Sequence, residues 1–154
     1  MKENFDSSFT ALIGNEGGYS NNPNDPGQET MYGITKRVAV AHGYTGEMKD
    51  LPLETAKEIA KAEYWDPCGG DDLPGKLDFT VFDAAYNSGV SRAKEWLAKA
   101  LSVRDTADGS LNVPYVIMRF DGERLLFLDS LPTWPSFGRG WARRIAENLL
   151  RATS

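Results

Sequence analysis

Apolar residues recur along the chain mainly at helical spacing. Phe5, Phe9, Leu12 and Ile13 form a first stripe, which Asn4 or Asp6 can cap and Gly17-Gly18 can end. Residues 19–34, YSNNPNDPGQETMYGI, break that rhythm with Asn, Pro, Gly and Asp and predict a turn-rich loop or small irregular hairpin. Thr35 can cap a short helix through Ala41. A third helix is expected from about Leu53 to Trp65, with Ala56, Ile59, Ala60 and Tyr64 inward and Pro67 as its stop. A fourth, about Lys76 to Asn87, buries Leu77, Val81, Ala84 and Ala85. A fifth runs from Ser91 to Leu101 and carries Trp96 and Leu97. The spacing predicts another helix from about Val113 to Leu131, bent near Gly122, then a loop PTWPSFGRG and a last helix from Trp141 to Arg151. The fold class expected is mainly α: a single α-rich domain with one small β-prone insertion after the first helix.

Composition narrows the chemistry by what is scarce. The chain has one cysteine, Cys68, and one histidine, His42, among 154 residues. No intramolecular disulfide, Cys-based zinc site or His-rich metal centre can form from them. His42 stands before Gly43 at a predicted helix end, where a cation suits the backbone dipole. Acid–base chemistry is therefore expected from carboxylates. The net charge of −5 disfavours a general nucleic-acid binder. Within residues 134–154, however, Arg139, Arg143, Arg144 and Arg151 face only Glu147. That basic C-terminal helix can make weak contact with a membrane or cell wall, or be a solvated face.

Among the carboxylates, Glu16 is the informative one. It follows Ile13, Leu12, Phe9 and Phe5 at three, four, seven and eleven residues, which puts it at the edge of the buried stripe. Apolar neighbours and the negative end of the helix dipole would both raise its pKa. A carboxyl kept protonated near neutrality is what protonation of a glycosidic oxygen requires. The same spacing also suits a glutamate turned to solvent beside the glycines.

The following loop gives that position a setting. Glu16-Gly17-Gly18-Tyr19, then Asp25-Pro26-Gly27-Gln28-Glu29-Thr30-Met31-Tyr32-Gly33-Ile34-Thr35, resembles the signature of glycoside hydrolase family 108. Gln28 stands where that family usually has a second glycine. This family of lysozyme-superfamily muramidases is typified by phage endolysins and secretion-associated enzymes. Tyr64-Trp65, the segment AAYNSGVSRAKEWLAKAL and the segment LPTWPSFGRGWARR extend the resemblance over nearly the whole chain. It implies a lysozyme-like fold, with residues 1–90 as the catalytic part. Residues 91–154 would form a helical part resembling a peptidoglycan-binding region, packed into the same globular unit.

Carried onto this chain, the resemblance implies Glu16 as general acid, Asp25 as general base or electrostatic stabiliser, and Thr30 as a residue that places water. Asp25 also suits an Asx-type turn, and Thr30 a purely structural role. Sugar rings present apolar faces, so Tyr19, Tyr32, Trp65, Tyr86 and Asn87 are the substrate-binding candidates, although helical aromatics are more often core. Trp96 and Trp141 are assigned to packing. No cofactor is implied, and the Asn/Asp cluster around Asp25 does not meet the calcium-loop spacing, so no metal is expected.

The expected substrate is the glycan strand of peptidoglycan, cut between N-acetylmuramic acid and N-acetylglucosamine by a monomer. Carboxyl groups ~6.5–9.5 Å apart would give inversion and ~5–5.5 Å retention, with inversion favoured. No signal-peptide pattern or long apolar run is present. The expectation is synthesis in a host cytoplasm and action in the periplasm or wall after holin-type or dedicated export, as a phage endolysin. A non-catalytic wall-binding or assembly module, and a muramidase serving secretion or acting as an interbacterial effector, are the alternatives.

Overall fold

Each of the apolar stripes becomes a helix. The computed structural model describes residues 4–14, 18–21, 29–103 and 109–154. In chain order the elements are α1 (Phe5–Ile13), β1 (Ser20–Asn21), β2 (Glu29–Met31), β3 (Ile34–Thr35), α2 (Lys36–Ala41), α3 (Leu53–Ala60), α4 (Leu77–Ser88), α5 (Val90–Ser102), α6 (Val113–Asp129) and α7 (Trp134–Thr153). The β-prone insertion is an antiparallel sheet of order β1-β2-β3. The arrangement is the expected α-rich one, with the small β insertion directly after the first helix.

Several boundaries differ from the sequence reading, each for a local reason. α1 stops at Ile13 with Gly14 as its C-cap, and Asn4 spends its side chain on Asp78 (Nδ2 to Oδ2, 2.8 Å) rather than on capping. Thr35 does cap α2, its hydroxyl accepting from the Val38 N–H at 3.3 Å. His42 is the C-cap residue of α2 and pairs through Nε2 with Glu63 at 2.7 Å. Beyond α3 the chain continues as a π-helical turn, Lys61–Trp65. That wider turn carries Trp65 onto the inner face used by Ile59 and Ala60. α6 passes Gly122 without a break: an exposed glycine costs about 1 kcal/mol against alanine, too little to stop a helix packed on its other face.

α7 is the largest departure. It starts at Trp134, not Trp141, so the segment read as a loop is helical from Trp134 onward. Pro135 lies in the first turn, where its missing N–H is harmless. Gly138 has a positive use: a Cβ there would sit 2.4 Å from the Trp134 ring, so its absence lets the indole fold onto the helix. Trp134 and Phe137 then meet Trp141 with ring centroids 6.1 and 5.8 Å away.

Two apolar clusters meet on α4. Every residue from Leu77 to Ala85 is buried. Leu77, Val81, Ala84 and Ala85 pack with Trp96, Val116, Ile117 and Phe120 from α5 and α6. Phe82 points the other way, into a cluster with Phe5, Phe9, Ile34 and Trp65. Phe5, Trp65 and Phe82 meet edge to face, with centroids 5.3, 5.8 and 5.4 Å apart, the arrangement ring quadrupoles prefer.

The polar residue on α4 is tied just as tightly. Asp83 is buried and accepts from Arg124 Nη1, Arg144 Nε and Asn148 Nδ2, all at 2.8 Å. Burial alone would raise its pKa. The two guanidiniums and the amide outweigh that and hold the carboxyl below its usual range. Asp121 on α6 lacks such partners: among the described residues neither oxygen is hydrogen-bonded, and Arg124 Nη1 is 3.9 Å away. Burial pushes it up to about 7, Arg124 opposing the shift and Asp83 adding to it.

Two outcomes are expected. Phe82→Ala should cost about 3–5 kcal/mol in denaturant unfolding, as large aromatic truncations in tight cores do. For Asp121, a carboxyl raised in the folded state stabilises only when protonated. Its contribution is full below 3.8 and is lost as pH rises through about 7. Asp121→Asn should therefore flatten the fall in stability over that window, measured as unfolding free energy against pH; an identical slope in both proteins would contradict the burial argument.

Candidate functional site

Thr30 is held by backbone on both sides. The central strand β2 pairs with β1 through Ser20↔Thr30 and Asn21↔Glu29, and with β3 through Thr30↔Thr35 and Met31↔Ile34. Only Tyr32 and Gly33 remain for the turn between β2 and β3, and both have positive φ, 53° and 78°. Such a two-residue turn matches the twist of a hairpin. Glycine accepts the conformation readily, whereas tyrosine needs compensation.

Tyr86 on α4 supplies that compensation. Its hydroxyl donates to the Tyr32 carbonyl at 2.7 Å. Its ring lies so close to Gly33 that a Cβ there would meet Cε1 at 2.7 Å. Burial, then the neighbouring Tyr64, pushes the Tyr86 phenol up, with Arg144 opposing, so the hydroxyl stays a donor through the neutral range. The Tyr64 and Tyr86 ring centroids are 4.7 Å apart. Tyr86 is thus a strut under the hairpin tip, half-buried and with its hydroxyl committed.

A carboxylate outside the expected set sits on the same strand. Glu29 accepts from Tyr19 Oη at 2.9 Å and from Lys36 Nζ at 2.8 Å. The Lys36 hydrogen bond, then that from Tyr19, holds Glu29 below its ordinary value, and Tyr19 is raised in turn, chiefly by its bond to Glu29. Glu29 is therefore ionised at neutral pH and has no proton to donate to a leaving group. The register that pairs Thr30 with Thr35 also brings Glu29 to Lys36, the first residue of α2, a contact that the hairpin turn implies once its length is known.

The remaining candidates divide by exposure. Tyr19 is 44% exposed at the sheet edge, and Tyr32 is half-buried at the hairpin tip. Asn87 is exposed, its Oδ1 meeting Arg124 Nη2 at 3.4 Å, and its amide nitrogen makes no hydrogen bond among the described residues. Trp65 corrects the sequence reading. It is wholly enclosed by Phe5 and Phe82, and its Nε1 donates to Asp71 at 2.8 Å, so no sugar can stack on it. The π-helical turn that rotates it inward leaves no periodic signal in the sequence. Glu16 and Asp25 lie outside the described residues.

Other reactive groups are out of reach of this chemistry. Burial pushes the free Cys68 thiol up to about 11, which leaves it protonated and a poor nucleophile. Among the described residues, no cluster of His, Cys, Asp and Glu side chains could hold a metal ion.

Comparison with known proteins agrees with the geometry. The family model described as Glycosyl hydrolase 108 matches residues 9–89. Among solved structures the chain is similar to Brucella abortus SagA, with 30% identity and a TM-score of 0.84, over 99% of this chain and 95% of that one. No curated protein in the comparison matches the chain.

The strut role of Tyr86 has a measurable consequence. Tyr86→Phe keeps the ring against Gly33 but leaves the Tyr32 carbonyl without its donor. The expected cost is about 1 kcal/mol, with faster amide exchange in β2 and β3 and little change in α5 or α6. Uniform exchange across all these elements would contradict a local tie.

Proposed function

Because the chain belongs to the glycosyl hydrolase 108 family, it is a glycoside hydrolase of lysozyme-like action, and we propose that it cuts peptidoglycan as an N-acetylmuramidase with Glu16 as general acid. The observation that carries this reading is the span of the family match, residues 9–89, which contains Glu16, Asp25 and Thr30 together. In the reaction Glu16 donates its proton to the glycosidic oxygen, the bond from that oxygen to the anomeric carbon of N-acetylmuramic acid breaks, and water adds to that carbon. Asp25 accepts the water's proton or stabilises the developing positive charge. Thr30 helps place the water, a task that suits a side chain on a strand paired along both edges.

Three other carboxyls are unsuited to the acid role. Glu29 is held ionised by Lys36 and Tyr19, and Asp83 by Arg124, Arg144 and Asn148. Asp121 is protonated into the neutral range but is 1% exposed in the core, where no glycan reaches it. Tyr19, Tyr32 and Asn87 are the described residues that can meet sugar rings and N-acetyl groups. In this reading the enzyme works in the periplasm or wall after holin-type or dedicated export, and its cellular role is lysis by a phage.

Glu16→Gln should retain the fold, by circular dichroism and unfolding midpoint, while lowering release of new reducing ends from purified sacculi at least about a hundredfold. Wild-type turnover in the folded variant would sink the assignment.

A further inference from the structure

A groove of about 540 Å³ runs between α1 and α7. One side offers Leu12, and Phe79 of α4 contributes further apolar surface; the other side carries Arg139, Arg143, Arg144 and Arg151. Glu147 and the buried Asp83 are the acidic residues in its lining, so the groove is net positive on a chain whose net charge is −5. Two of the four arginines have work inside the fold. Arg144 binds Asp83, and Arg151 lies over the Phe79 ring with its guanidinium carbon 4.7 Å from the centroid.

Arg139 and Arg143 have no such employment. Both are exposed, and neither makes an ion pair or hydrogen bond among the described residues. They stand four residues apart on α7, one turn above the other, where like charges destabilise a helix by a few tenths of a kcal/mol. Residues 134–154 contain four arginines and no lysine. The guanidinium fork is the group that grips carboxylates in two-point fashion, whereas lysine would serve equally well as a diffuse positive charge. The groove is also concave, which suits a flexible anionic chain better than a flat lipid surface.

Resting on the muramidase reading above, we infer that this groove takes the carboxylates of the peptide stems that peptidoglycan carries along its uncharged sugar backbone. Arg139 and Arg143 are the contacts, with Leu12 and Phe79 flanking the aliphatic parts of the stem. The enzyme then prefers glycan that still bears its peptides over bare glycan. The preference comes from charge on the stem, which takes no part in the bond that is cut, so it appears mainly in KM.

The test uses the full-length protein and two substrates: intact sacculi, and glycan strands from the same sacculi freed of peptides by an amidase, which leaves only the lactyl carboxylate on each N-acetylmuramic acid, close to the sugar. The wild type should show a higher kcat/KM on the peptide-bearing substrate. The double variant Arg139→Gln/Arg143→Gln should lower the ratio of the two kcat/KM values about tenfold, with the change in KM and a weaker dependence on salt. Both positions are exposed, and an unchanged unfolding midpoint confirms the fold. A wild-type ratio near one, or the same ratio in both proteins, would overturn the inference. So would loss of binding to phosphatidylglycerol vesicles with the ratio intact, which would assign the arginines to lipid. Failure of the wild type to release reducing ends from either substrate is a different result, and strikes the muramidase reading itself.

Discussion

A carboxylate taken out of water must recover its lost hydration from fixed donors, and Asp83 recovers it from three at once. Arg124 belongs to α6, while Arg144 and Asn148 belong to α7. The net gain from such a buried network over well-packed apolar residues is small, but removing one partner typically costs 3–5 kcal/mol because a charge is left stranded. The directionality matters more than the net energy. Apolar contacts let α6 and α7 slide along α4 with little penalty, whereas three hydrogen bonds of 2.8 Å do not. The rotation of α7 is fixed by this tie, and with it the direction in which Arg139 and Arg143 face.

The same helix sets the other half of the molecule. Tyr86 follows Asp83 by three residues, close to one turn, and binds the hairpin tip through the Tyr32 carbonyl and the bare face of Gly33. Phe82, directly before Asp83, anchors Phe5 and Trp65. A stretch of five residues on α4 therefore holds α1, the sheet and the two last helices in one frame. Thr30 inherits its position from that frame, because β2 is paired on both edges and the turn beyond it cannot drift from α4.

The helices were legible because they bury one stripe each, and that stripe shows as a period in the sequence. α2 and its Thr35 cap, the inner residues of α3 and the core face of α4 all follow from spacing. What periodicity does not carry was missed. A π-helical turn adds one residue to a turn and moves Trp65 from the outside of a regular helix to its core, so a ring that looked available to sugar is packing instead. α7 begins at Trp134 because Gly138 accepts an indole on the helix surface, and in the sequence that glycine reads as a breaker. The partners of Asp83 lie 41, 61 and 65 residues away, a pairing that no local pattern encodes. The candidate site was legible in a different way, through a motif whose strand part, from Glu29 to Thr35, is the hairpin now seen.

Perturbed acidity is a common guide to active sites, yet here it points into the core. The carboxyl whose pKa rises to about 7 is Asp121, and its cause is burial without a donor, with Arg124 already engaged by Asp83. A general acid needs the same raised pKa plus access to the leaving oxygen, and Asp121 meets only the first condition. Glu29 fails in the opposite sense: it is accessible and lies beside Thr30, but Lys36 and Tyr19 keep it ionised. Both conditions must hold at one residue for the chemistry to proceed. A carboxyl at the end of an amphipathic helix can satisfy them together, because it borrows partial desolvation from the stripe behind it and remains open to a ligand ahead. That is the place Glu16 occupies in the sequence, three residues beyond Ile13 and directly before the glycines that open the loop.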